Sequence, residues 1–272
     1  MTALQKEVIK LLKDGLTPSE VSKKLNRTGS TISSVIKRFN IINYNTVYEN
    51  KVIHNYFDDI DNDIKAYLLG FFIADGWISE KNRFGITIQS DDDYILKYYQ
   101  LFSSTKIFKK NRTTKTIKRK TSSTIRWTSE YMKDIFRSYN ILTNKTYNIE
   151  FIFPFDKIPK HLVRHFIRGF IDGDGSFEAN KGIFTITLVN TSLNFMKQIG
   201  IEFEKINEGI ESTITKVIGK TVDYYTLRFN FFRINKPEKV LQIYNYLYKD
   251  TNIFLSRKKE KIESYLKYRG KL

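Results

Sequence analysis

Two Asp-Gly endings mark the residues with the strongest claim to chemistry. Tyr67-Leu68-Leu69-Gly70-Phe71-Phe72-Ile73-Ala74-Asp75-Gly76 is answered by Phe166-Ile167-Arg168-Gly169-Phe170-Ile171-Asp172-Gly173-Asp174-Gly175, which sets Asp75 and Asp174 99 residues apart. Either run alone also reads as a buried strand entering a two-residue hairpin turn. The small residues four apart, Gly70 with Ala74 and Gly169 with Gly173, favour helices, because at that spacing they share one face and let two backbones approach closely. In helices ending at Gly76 and Gly175, both acids lie at the negative end of a helix dipole, which costs ~0.3–1 kcal/mol each. Packing through the small faces would bring the two carboxylates together, and such a pair invites a divalent cation. The chain has no Cys and three His, so oxygen must be the ligand, and Mg2+ is the natural ion.

The elements needed to position these acids repeat as well. Phe84-Gly85-Ile86-Thr87-Ile88-Gln89 alternates like a strand and matches Phe184-Thr185-Ile186-Thr187-Leu188-Val189; Ser90-Asp91 and Asn190-Thr191 then lead into a helix. One unit is therefore duplicated. Asp58, Asp59, Asp61 and Asp63 lack an EF-hand pattern, since counting from Asp59 puts Ile64 and Gly70 at the sixth and twelfth places. They are expected to cap the helix that follows.

The 272 residues carry 46 Lys and Arg against 29 Asp and Glu, a formal charge of +17, with 15% aromatics. That composition excludes a disordered basic tail, and the longest apolar run, from Ala66 to Ala74, is too short to span a membrane. Excess positive charge in a folded chain points to a polyanion such as nucleic acid. Between Tyr94 and Ser129 stand Lys97, Lys106, Lys109, Lys110, Arg112, Lys115, Lys118, Arg119, Lys120 and Arg126 with no acid. Alternating strands there would aim one set of side chains at bases and phosphates. The counterpart, Ile210 to Lys236, carries Arg228 and Arg233 and is less basic. No secretory or transit signal is evident, so a cytoplasmic protein of a bacterial or phage-infected cell, or one of an organellar matrix, is expected.

Residues 1–40 read as three short helices. Leu4, Val8, Ile9, Leu11 and Leu12 recur at helical spacing, Thr17-Pro18-Ser19-Glu20 forms a capping box, and Ser30 is placed to cap the third helix. That helix divides Ile32, Val35, Ile36 and Phe39 from the polar set Ser30, Thr31, Ser33, Ser34, Lys37 and Arg38. The division resembles small helix-turn-helix domains that bind DNA. Residues 41–62, rich in Asn, Tyr and Asp, read as a linker to a first half over 63–155 and a second over 156–272.

The paired motifs closely resemble the duplicated signature of LAGLIDADG homing endonucleases. The resemblance covers residues 64 to about 265 and implies an α+β fold of two pseudo-symmetric αββαββα halves, each with an antiparallel DNA-binding sheet, beside the small all-α N-terminal domain. It implies that Asp75 and Asp174, with Gly76 and Gly175 beside them, bind Mg2+, or Mn2+ in its place, for cutting both strands of a long DNA site with short 3′ overhangs. Lys145 and Lys258 match the basic residues that support developing charge; Gln89, Ser90 and Asn190 match the polar residues that position water. A monomer on double-stranded DNA is expected, without an obligatory protein partner or a membrane. The runner-up is a catalytically silent relative acting on intron RNA as a maturase, or on DNA as a regulator. Ile73 stands where the signature and Asp172 have an acid, so the two halves are not equivalent.

Overall fold

The computed structural model describes residues 1–13, 16, 18–39, 52–110, 121–180, 182–206, 210, 212–231 and 237–272. These fall into two compact units, residues 1–53 with 102–106, and residues 54–101 with 107–272.

In the first unit three helices, α1 (Ala3–Lys13), α2 (Pro18–Lys24) and α3 (Gly29–Arg38), enclose Val8, Leu11, Leu12, Val21, Ile32 and Val35. Pro18 opens α2, where its missing N–H costs nothing, and Lys23 and Lys24 close it. Thr17 lies outside the described residues. Two expectations are corrected. Thr28, not Ser30, caps α3: its Oγ1 accepts the Thr31 N–H at 3.3 Å and its carbonyl accepts the Ile32 N–H at 3.3 Å. Phe39 follows the last helical turn and stays 36% exposed, beside the Arg38 guanidinium, instead of joining the core. Val52 and Ser103 form a short antiparallel bridge in the same unit.

The second unit contains the duplicated fold. Helix α4 (Asp63–Asp75) runs into strands β1 (Gly76–Ile78) and β2 (Arg83–Gln89), a 3-10 turn over Ser90–Ile95, the short α5 (Leu96–Tyr99), strands β3 (Phe108–Lys110) and β4 (Ser122–Thr128), and α6 (Glu130–Ser138). The second copy is α7 (Val163–Asp174), β5 (Ser176–Asn180), β6 (Ile183–Asn190), α8 (Leu193–Ile206), β7 (Ser212–Val217), β8 (Tyr224–Phe231) and α9 (Pro237–Tyr248), followed by an added helix, α10 (Ser256–Tyr268). Both sheets are antiparallel and share one topology, β1-β2-β4-β3 and β5-β6-β8-β7.

Alternation in the strands decides which face is buried. Phe84, Ile86 and Ile88 of β2 and Ile125 and Trp127 of β4 are buried, and the Phe84 and Trp127 rings stack at 5.5 Å. The intervening residues pair across the opposite face: Arg83 with Thr128, Gly85 with Arg126, Thr87 with Thr124, and Gln89 with Ser122. In the second sheet Phe184, Ile186, Leu188, Leu227 and Phe229 are buried, while Thr187, Arg228 and Thr213 line up on the other side.

The helix starts differ from expectation in detail. Asn62, not one of the neighbouring acids, caps α4 by accepting the Lys65 N–H at 2.9 Å; Asp63 sits in the first turn and Asp61 pairs with Lys65 at 3.0 Å. After β6, Ser192 caps α8 by accepting the Phe195 N–H, and Asn190 supports it by accepting the Ser192 N–H at 2.9 Å. The linker reading of 41–62 is narrowed. Residues 40–51 lie outside the described set, but Phe57 is fully buried, edge-on to Phe136 at 5.3 Å, and its carbonyl accepts the Tyr139 hydroxyl. Phe57 stands among polar residues and tyrosines without regular spacing, so no periodic signal marked that anchoring. Among the described residues, no helix is long and apolar enough to cross a membrane.

Candidate active site

The site begins where α4 and α7 touch. A Cβ added to Gly70 would lie 2.0 Å from the Phe166 carbonyl oxygen, and one added to Gly169 would lie 2.0 Å from that of Tyr67. Only glycine at both places permits this backbone approach. One turn further on, a Cβ on Gly173 would meet the Ala74 methyl at 2.2 Å and Asp75 Oδ2 at 3.3 Å. The seam is therefore tightest at Gly70 and Gly169 and stays close up to the acids that end each helix.

Both helix ends carry the same cationic device. Lys145 Nζ donates to the carbonyls of Phe72, Ile73 and Ala74; Lys258 Nζ donates to those of Ile171, Asp172 and Gly173. Each carbonyl in the second set lies 99 residues after its counterpart, the spacing of the sequence repeat. An ammonium has three protons, and all three of each lysine are engaged. The two lysines thus neutralise the negative helix ends on which Asp75 and Asp174 sit. Sequence reading put them beside the acids as supports for developing charge; their immediate task in the structure is to cap the helices.

The electrostatics of the four groups are coupled. Burial pulls Lys145 down to about 8, opposed by Asp174 and Asp75, and pulls Lys258 down to about 8. Burial pushes Asp174 up to about 6, with Lys145 opposing and the Asp75 charge adding to the rise. Asp75 is raised too, chiefly by burial. Neither carboxylate accepts a hydrogen bond from any described residue.

Two cavities of about 340 Å3 flank the seam, one for each acid. Asp174 shares its cavity with Lys145, Asn190, Asn148 and Tyr224. Asp75 shares the other with Gln89, Asp92, Ser122 and Arg257. Each cavity joins an acid from one half with a base from the other. Gln89 thus lines the Asp75 cavity and Asn190 the Asp174 cavity, whereas Ser90 turns back and hydrogen-bonds Ser123 at 2.9 Å.

Sequence reading missed Arg257 and Asp92. Arg257 Nε donates to Asp92 Oδ2 at 2.9 Å, joining the second half to the first beside Asp75. No repeat partner flags either residue, because Ser192 stands opposite Asp92 in the second copy and reaches the Phe151 carbonyl instead. Also missed was the role of Asp172, which is fully buried and accepts from the Tyr67 hydroxyl, the Tyr248 hydroxyl and the Leu255 N–H.

The polar sheet faces carry part of the expected basic surface. Arg126 lies over the Trp77 ring, Lys110 and Arg228 are exposed, and Lys109 pairs with Asp93 at 2.7 Å. Arg112, Lys115, Lys118, Arg119, Lys120 and Arg233 lie outside the described residues, as does the Lys37 side chain. On α3, Ser30, Ser33, Ser34 and Arg38 are exposed and Thr31 is half-buried.

A metal could use what is present. Among the described residues no group of three or more His, Asp or Glu converges on one point. Two carboxylates without hydrogen-bond partners nevertheless suit an ion such as Mg2+, which keeps waters and takes its remaining ligands from substrate phosphate.

A duplicated α+β unit with a glycine-packed helix pair and two polar antiparallel sheets defines the class of the second unit. Residues 62–143 and 161–246 both match the LAGLIDADG-like domain, so the chain belongs to the LAGLIDADG family. Residues 3–48 match the homeodomain-like domain. Similar solved structures include the homing endonuclease I-WcaI bound to its DNA recognition sequence, at 12% identity and TM-score 0.47 over 75% of this chain and 87% of that one. The N-terminal LAGLIDADG domain of DUF199/WhiA is similar at 12% identity and TM-score 0.45, over 78% of this chain and 92% of that one. No curated protein matches the chain significantly.

Proposed function

We propose that the protein is a site-specific endonuclease that makes a double-strand break in a long, asymmetric DNA target and leaves short 3′ overhangs. The observation that carries this reading is the pair of coupled carboxylates at the seam, each opening into its own cavity with a base from the opposite half. Two such cavities suit two scissile phosphates, one on each strand. Mg2+, or Mn2+ in its place, would supply Lewis-acid polarisation of phosphate and the charge that offsets two clustered acids.

The chain's own residues divide the remaining work. Asp75 and Asp174, with Gly76 and Gly175 at the turn beside them, hold the cation. Gln89 and Asn190 orient water for attack on phosphorus. Lys145 and Lys258 lend positive potential through the helix ends they cap, and Arg257 meets the phosphate at the Asp75 cavity. The sheet faces around Arg126 and Arg228 lie along the duplex grooves, and α3 makes a DNA contact of its own through Ser30, Thr31, Ser33, Ser34, Lys37 and Arg38. Unequal halves suit a non-palindromic site.

Incubating the protein with a supercoiled plasmid library and Mg2+ tests this. Linear product from a defined sequence, lost on Asp75→Asn combined with Asp174→Asn, is expected. Tight binding to intron RNA or to an operator without any nicking would replace the nuclease by the silent-scaffold reading.

A further inference from the structure

We propose that Asp172 is a positioning residue for the Asp75 cavity, acting through the Leu255 amide on Arg257; the proposal rests on the nuclease reading above. Asp172 Oδ2 accepts the Leu255 N–H at 2.8 Å and the Tyr67 hydroxyl at 2.8 Å, and Oδ1 accepts the Tyr248 hydroxyl at 3.1 Å. One turn earlier on α7, the fully buried Arg168 donates to the carbonyls of Ile253 at 2.9 Å and Leu247 at 3.0 Å. The last turn of α9, through Leu247, and the segment that leads into α10, through Ile253 and Leu255, are thus fastened to α7 by their backbone. Two residues past the last of them, Arg257 enters the Asp75 cavity and grips Asp92.

The first copy places its lysine without such a carboxylate. Ile73 occupies the equivalent place in α4 and packs there as hydrocarbon, 5% exposed. The chain reaches Lys145 instead through Asn144, at φ +55°, and a 3-10 turn. A buried carboxylate is costly unless it is fully hydrogen-bonded, and three donors on Asp172 meet that condition. What the second copy gains by it is a fixed start to α10, and with it a fixed Arg257. The effect should fall on one strand, because of the two seam cavities Arg257 lines that of Asp75 and not that of Asp174.

Single-turnover cleavage of the selected target, with each strand carrying a different end label, tests this on the full-length protein with Mg2+. Asp172→Asn and Arg257→Gln should each slow the same strand about tenfold or more and leave the other within about twofold. The double variant should be no slower than the worse single one, as for residues acting in series. Should Asp172→Asn fail to fold, Tyr248→Phe removes one donor to the same carboxylate and should bias the same strand more weakly. Equal slowing of both strands, slowing of opposite strands by the two variants, or an additive double variant would overturn the proposal. A wild-type protein that cuts neither strand of any target would instead remove the nuclease reading, and this proposal with it.

Discussion

At the scale of single residues, the acids and the bases were not equally legible in the sequence. Asp75 and Asp174 announce themselves because a repeat aligns them and small residues beside them demand a close helix pair. Arg257 has no repeat partner, and nothing in a sequence shows that Lys145 and Lys258 have their protons committed to carbonyls. That commitment separates two kinds of variant. Asp75→Asn or Asp174→Asn should lower cleavage by a hundredfold or more at saturating Mg2+ while DNA affinity changes little, read by single-turnover kinetics beside a binding titration. Lys145→Met, by contrast, should lower stability as well, because three carbonyls at the end of α4 lose their donor at once; a urea midpoint well below that of Asp75→Asn is the expected mark. His165 supplies a pH-dependent term. Burial, with the adjacent Arg168 and Arg164 charges, holds its pKa down to about 4, and its Nδ1 accepts from Arg168. Below about 6.5 the unfolded chain takes up a proton that the folded protein refuses, so stability is full above that pH and falls as pH drops towards 4. The loss is on the order of 1–3 kcal/mol. Urea unfolding at pH 5 and pH 7 measures it, and His165→Gln should flatten the difference.

At the scale of elements, periodicity fixed what would form, and tertiary packing fixed where each element starts. Strands β2 and β6 were readable because apolar and polar residues alternate along them with a period of two. The caps were not, since Asn62 competes with four acids and Ser192 with Asn190, and only the backbone geometry chooses among them. The interior of the helix pair is the most demanding element of the second unit. Gly169→Ala forces a methyl against the Tyr67 carbonyl, where backbone faces backbone and neither side can yield. A loss at or above the upper end of ~1–3 kcal/mol is expected from chemical denaturation. Gly29→Ala makes the contrast: nothing lies within 4 Å of the added methyl, so α3 should gain ~0.5 kcal/mol or remain unchanged.

At the scale of the whole molecule, the formal charge of +17 sets the response to salt. Each phosphate neutralised by Lys or Arg adds roughly −0.9 to the slope of log affinity against log salt, so six or more contacts would weaken binding about 10^3-fold or more between 50 and 200 mM. Fluorescence anisotropy on the selected target should give that steep line; a slope near zero would remove the phosphate-tracking role from the basic surfaces. Ser34→Asp places a carboxylate on the exposed side of α3 and should weaken binding about tenfold, with the cleavage rate of bound DNA unchanged. The crossed make-up of the two cavities has a consequence for recombining such proteins. Because each acid faces a base that the opposite half contributes, a chimera formed by splicing one half onto a relative's would inherit two mismatched pockets, even if both parents were active. Grafting residues 142–151 or 253–258 together with the foreign helix they face would restore the match, so these short segments, not the half boundary, are the natural units of exchange.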